Sequence, residues 1–146
     1  MGILSPFPKR QTMALFSFRH SVKTFSPKCE TADRAAREGQ TAAHLRYITR
    51  EAAARVVLRE RLDHLGDTEQ GRCAERAAMK RRGRVCERFI VALPVEASEA
   101  QREQLARRFA EELSQGAAGF VLAIHDKAGN DIRNPHFHLV AFDHHE

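Results

Sequence analysis

The 146-residue chain has no tryptophan, a single tyrosine and three cysteines. No apolar run approaches the ~20 residues that a membrane-crossing helix needs, so membrane insertion is excluded on this reading. Cys29, Cys73 and Cys86 are odd in number, far apart and without a Cys-x-x-Cys pair. That pattern fits reduced thiols in a cytoplasmic protein, and excludes both a disulfide framework and a cysteine zinc finger. The first twelve residues carry Pro6, Pro8, Lys9 and Arg10 and lack the apolar centre of a secretion signal. They read as a flexible N-terminal extension or a mis-assigned start, with Met13 as the alternative beginning. Internal repeats and low-complexity linkers are absent too. A chain of this length makes one domain, here residues 13–146, with a single core.

What is present is concentrated near the end. Ala123-Ile124-His125-Asp126-Lys127 is followed, across a stretch rich in turn-formers, by Asn134-Pro135-His136-Phe137-His138-Leu139-Val140. Residues at i and i+2 of a strand share a face, so His136 and His138 project together and Phe137 goes to the other side. If the run ending at His125 pairs antiparallel with them, three imidazoles converge. Three neutral imidazoles with open positions form a catalytic rather than a structural metal pattern. The alternative is three polar residues on a wetted strand face, and spacing alone leaves both readings open.

The elements alternate along the chain. Leu15 to Val22 reads as a strand. A helix is expected from Thr31 or Asp33 through Tyr47, with a break possible at Gly39 or Thr41, and a second helical stretch from Ala52 to about Leu65. Gly71 to Arg82 reads as a helix closed by a basic turn at Gly83, and Val85 to Leu93 as a strand ended by Pro94. Ser98 opens a helix whose Leu105, Phe109 and Leu113 recur at helical spacing, and Gly116 and Gly119 stop it. Two histidine-bearing strands close the chain. This order describes an α+β domain, an antiparallel sheet with helices packed on one face.

The net charge is +5 with a pI near 9.6. Lys80, Arg81, Arg82 and Arg84 form a basic block before the second strand, and Arg19, Lys23 and Lys28 add charge at the N-terminal end. Such stripes neutralise phosphates and give salt-sensitive affinity for nucleic acid, although basic runs also simply solvate surfaces.

The run His125 … Asn134-Pro135-His136-Phe137-His138 resembles the three-histidine motif of the HUH endonucleases. Within them it resembles the MobA/MobL-type conjugative relaxases, where Asn-Pro-His-x-His is the characteristic wording. Met13–Thr24 resembles that family's opening strand, Ala42–Glu51 the helix bearing the nucleophilic tyrosine, and Phe89–Glu96 the strand between. The resemblance runs from about Met13 to Asp143, and the one tyrosine, Tyr47, falls in the segment it nominates.

The resemblance implies a nicking and rejoining enzyme acting on single-stranded DNA at the origin of transfer of a plasmid or mobile element. Tyr47 would attack phosphorus, forming a 5′-phosphotyrosine and leaving a 3′-hydroxyl that can later reseal the strand. His125, His136 and His138 would hold a divalent cation, Mg²⁺ or Mn²⁺, with Zn²⁺ as the alternative. Arg19, Lys23, Arg50, Lys80, Arg81, Arg82 and Arg84 would contact DNA, and accessory mobilisation proteins are implied as partners. Glu87, Glu96 and Asp126 are candidates to orient a ligand or to act as base.

Two departures stand out. Relatives often carry an acidic residue near the position of Ile90. They also usually continue past the histidine strand, whereas this chain stops at His144-His145-Glu146. The histidine pair there is a candidate weak metal binder, and the domain reads as compact or C-terminally truncated. Two other readings therefore stay open: a non-catalytic DNA-binding remnant, and a metal-stabilised RNA- or DNA-binding domain. A two-histidine phosphodiesterase is disfavoured, since no His-x-Thr/Ser pair is present.

Overall fold

The structure, a computed structural model, describes residues 17–29, 31–63, 66–128 and 131–143. The N-terminal extension, the start of the expected first strand and the terminal histidine pair lie outside these. The elements run β1 (Phe18–Thr24), α1 (Gln40–Thr49), β2 (Val56–Glu60), α2 (Asp67–Arg81), β3 (Arg84–Ala92), α3 (Glu99–Ser114), β4 (Phe120–His125) and β5 (His136–Phe142). The five strands form one sheet in the order β1-β3-β5-β4-β2, and every neighbouring pair is antiparallel.

The α+β class and the antiparallel sheet agree with the sequence reading, but the helices do not lie on one face. All six residues of β4 are buried, as is β5 beyond His136. A strand apolar on both sides needs cover on both sides. On one face Leu45 and Ile48 of α1 and Ala74 and Ala78 of α2 pack on Val121, Ala123 and Val140. On the other, Ala106 and Ala110 of α3 pack on Leu122, Ile124, Phe137 and Leu139. Leu45 and Ile48 are fully buried, each contributing about 1.5–3 kcal/mol of burial. They seat the tyrosine-bearing helix on the sheet.

A second difference is β2. The Ala52-Ala53-Ala54 run suggests a helix there, yet residues 51–53 form a turn and Val56–Glu60 pairs with β4. Alanine propensity is worth only tenths of a kcal/mol per residue. The β-branched Val56 and Val57 instead extend the sheet beyond β4. The helix expected from Thr31 or Asp33 begins only at Gln40, because Gly39 has φ 84°, outside the helical region.

That late start leaves α1 without a side-chain cap of its own. The buried carboxylate of Glu75, on α2, replaces it by accepting from the backbone N–H groups of Gly39 (2.7 Å) and Thr41 (2.9 Å). The two helices also meet at Gly71, where a Cβ would lie 2.5 Å from the backbone nitrogen of Ala42. The third helix starts as the sequence indicates: Ser98 and Gln101 form a reciprocal capping box.

Candidate active site

β4 and β5 pair so that His125 lies opposite His136 and Ala123 opposite His138. All three imidazoles therefore occupy the sheet face covered by α1 and α2. One ring nitrogen from each lies within 4.8 Å of the others. Ring centroids are 5.2 Å apart for His125 and His136, 4.5 Å for His125 and His138, and 5.1 Å for His136 and His138. The convergence expected from the strand spacing is realised.

Hydrogen bonds outside the cluster fix which nitrogens are free. Nε2 of His125 lies 2.7 Å from the carbonyl oxygen of Ile48, and Nδ1 of His136 lies 2.8 Å from that of Asn134. A carbonyl only accepts, so each of these nitrogens carries the proton. His125 is left with its Nδ1 lone pair and His136 with its Nε2 lone pair. Nδ1 of His138 is buried without a hydrogen-bond partner among the described residues, a donor atom of the kind a cation would satisfy. Burial, then the charges of His125 and His136, depress the His138 pKa to about 3. Burial also lowers that of His125, against the opposing Ile48 hydrogen bond. Both rings are neutral near pH 7, the form that binds metal. The donor set fits a divalent cation.

The carbonyls of Ile48 and Asn134 thus orient two of the three imidazoles, a task the sequence reading assigned to carboxylates. The structure does not bring those carboxylates to the imidazoles. Glu87 pairs with Ala141 and Val22, which turns it to the α3 face, where it approaches His20 at 3.4 Å. Glu96 is exposed in the turn before α3. Asp126 follows His125 but points away, its buried carboxylate gripped by Arg55 (2.6 and 3.0 Å) and Arg102 (3.0 Å). Burial pushes the Asp126 carboxyl up, and the two arginines overturn that, holding it below the usual carboxylate range. Arg102 also donates to the carbonyls of Pro94 and Val95. This clamp therefore joins the residue before β2, α3 and the turn after β3 at the end of β4.

Tyr47 stands in the last turn of α1, beside the Ile48 whose carbonyl meets His125, and its side chain is 58% exposed. The guanidinium of Arg50 lies over its ring, 4.0 Å from the centroid, and also donates to the Tyr47 carbonyl. The charge of Arg50 is also the least of the contributions that lower the pKa values of His125 and His138.

Other basic residues divide by position. Arg19 lies on the histidine face opposite Ile90, itself opposite His138. Lys23, further along β1, donates to the Asp33 carbonyl. The block of Lys80, Arg81, Arg82 and Arg84 is elsewhere. Arg84 is six residues along β3 from Ile90, roughly 20 Å. Arg81 and Arg84 are also tied to Asp143. Sequence reasoning passed over His44 and Arg88. His44 is one helical turn before Tyr47, its ring 6.5 Å from that of His138. Burial, with the charges of Arg88 and Lys23, lowers its pKa to about 4. Helical spacing from Tyr47 was the available signal for His44, and period-two spacing from Ile90 for Arg88.

A solved structure from work on the molecular basis of vancomycin resistance transfer in Staphylococcus aureus is similar in fold. It has a TM-score of 0.61 and 18% identity over 88% of this chain and 70% of that one. No curated protein matches the chain. Residues 35–142 match the model of the MobA/MobL family, a span from just before α1 to the last residue of β5 that takes in Tyr47 and all three clustered histidines. With its Asn-Pro-His-x-His strand, its histidine-lined sheet face and that match over most of its length, the chain belongs to the MobA/MobL family.

Proposed function

We propose that this relaxase-family domain nicks and rejoins one strand of DNA at an origin of transfer, with Tyr47 as nucleophile and His125, His136 and His138 holding a divalent cation. The observation that carries the reading is the tautomer-fixed imidazole cluster bonded to the backbone of the helix that presents Tyr47. When bound, the cation supplies a Lewis acid for an oxygen of the scissile phosphate. The protein residues do the remainder. Tyr47, exposed at the helix end, is open to a polymeric substrate, and Arg50 holds its ring and adds positive charge where the phosphate would lie.

In the chemical step the Tyr47 oxygen forms a bond to phosphorus and the bond from phosphorus to the 3′-oxygen breaks. The phenol loses its proton and the departing 3′-oxygen gains one. The product is a 5′-phosphotyrosine, whose ester keeps the strand's reactivity for a later attack by a 3′-hydroxyl. Mg²⁺ or Mn²⁺ suits this use. The partners are single-stranded DNA and accessory mobilisation proteins, and the setting is the cytoplasm. No helix among the described residues is long and apolar enough to cross a membrane.

The test is incubation with labelled single-stranded oligonucleotides spanning candidate transfer origins, in Mn²⁺ or Mg²⁺, scored on a denaturing gel. A covalent adduct is expected with the parent protein and none with Tyr47→Phe. An adduct that survives Tyr47→Phe removes Tyr47 as nucleophile. Chelation is expected to abolish the adduct and leave the circular dichroism spectrum folded. Unfolding on chelation would instead mark a closed structural site.

A further inference from the structure

At the β1 edge of the sheet lies a cavity of about 530 Å³ whose lining includes Arg19, Ser21, His44, Arg88 and Ile90. It adjoins the imidazole cluster, because His44 is also the neighbour of His138. Arg88 lies opposite Ser21 on one side and Val140 on the other, two residues along β3 from the Ile90 that faces His138. Its guanidinium therefore enters from the histidine face, about 7 Å along the strand from that pairing.

Two nitrogens of this guanidinium, Nε and Nη2, are buried and have no hydrogen-bond partner among the described residues. Glu87, its neighbour in the chain, and Glu75, whose charge reaches the adjoining Cys86, are committed elsewhere. Glu87 is on the opposite face, and Glu75 is bound to the backbone of α1. The thiol of Cys86 does interact with Arg88, but burial holds that thiol up and protonated, so it supplies no negative charge. His44 is neutral near pH 7 and supplies none either. A half-buried cation whose two inner donors are unmet is destabilised unless an anion completes them. A planar fork of N–H donors matches a phosphate, which can accept two of them at once.

We propose that Arg88 is a phosphate-binding residue of this site, holding a backbone phosphodiester of the single-stranded substrate next to the one that is cut. The inference rests on the proposed DNA partner and adds the path of the strand: from the histidine cluster across β3 toward β1, past His44. It also separates two kinds of basic residue. Arg88 is pre-placed in the cavity, whereas Lys80 and Arg82 at the far end of β3 are exposed.

The experiment is a fluorescence titration of the purified protein in Mn²⁺ with labelled oligothymidylate over a range of salt, alongside thermal melts. Arg88→Met is expected to weaken binding about tenfold at low salt. It should also make the slope of log K against log salt shallower by about 0.7, one phosphate contact on a single strand. Its Tm is expected to equal or exceed that of the parent, since the two buried, unmet donors are gone. Arg88→Lys should recover the salt slope but not the full affinity, because an ammonium lacks the fork. Unchanged affinity and slope in Arg88→Met overturn the proposal while leaving the DNA reading intact. So does a fall in Tm in both variants with the salt slope unaltered, which marks Arg88 as structural. No binding of oligothymidylate by the parent protein overturns the DNA partner itself, and this proposal with it.

Discussion

Nε2 of His125 donates to the carbonyl of Ile48 across 77 positions of sequence, at 2.7 Å. One imidazole thus ties down the helix that bears Tyr47 and, in the proposed metal site, would also offer its other nitrogen's lone pair to a cation. His136 is engaged differently, with the carbonyl of Asn134 only two residues away. Replacing either by alanine is expected to weaken Mn²⁺ or Zn²⁺ binding at least tenfold by calorimetry. Only His125→Ala should also lower the stability of the metal-free protein, by about 1–3 kcal/mol in urea unfolding, because it orphans a buried carbonyl. Equal stabilities for the two variants would show that the tie to α1 contributes nothing.

Acid should destabilise the metal-free fold. His138 and His44 have pKa values pushed down to about 3 and about 4, and burial lowers that of His125 as well. The unfolded chain, with histidines near 6.5, binds more protons than the native one below that pH. The stability these rings contribute is therefore fully present above about pH 6.5 and is lost as the pH falls toward 4. Urea midpoints measured with chelator at pH 7.5, 6, 5 and 4 are expected to fall in that order. A midpoint that holds steady or rises down to pH 4.5 contradicts the assignment.

Asp126 is the anion between Arg55 and Arg102, and its side chain is fully buried. Asp126→Asn keeps the shape and removes the charge, leaving Arg102 buried without its counter-ion. Breaking a buried pair in this way costs about 3–5 kcal/mol. The expected result is a large drop in the urea midpoint with metal stoichiometry retained. Loss of the cation at unchanged stability would instead make Asp126 part of the metal site.

Gly71 allows α2 to touch the backbone of α1. A methyl group there would meet Ala42 at 2.5 Å, so Gly71→Ala should destabilise by about 1–3 kcal/mol despite alanine's better helix propensity. Because α1 is displaced, adduct formation by Tyr47 should fall more than metal affinity does. A stabilised Gly71→Ala protein would mean that the helices separate without consequence.

The histidine hairpin was legible because its signal is local. Period-two spacing put His136 and His138 on one face, and the turn-rich loop returned the chain so that His125 met them. β2 was hidden because a short strand next to three alanines carries no periodicity of its own, and only pairing with β4 defines it. The imidazole-orienting carbonyls were invisible in principle. A search for second partners among side chains finds carboxylates, and the backbone of Ile48 has no letter in the sequence. The far placement of the basic block is likewise a matter of geometry along one strand, since Arg84 and Ile90 lie six residues apart on β3.

The sheet order separates what the site can assemble alone from what it must import. β4 and β5 are adjacent in sequence and in space, so a chain whose α1 has come undocked still brings three imidazoles together. It lacks the oxygen that decides which edge of His125 faces inward. In the proposed metal site, affinity for the cation would therefore report whether the tyrosine helix is seated, and a bound ion would favour the seated arrangement to the same degree.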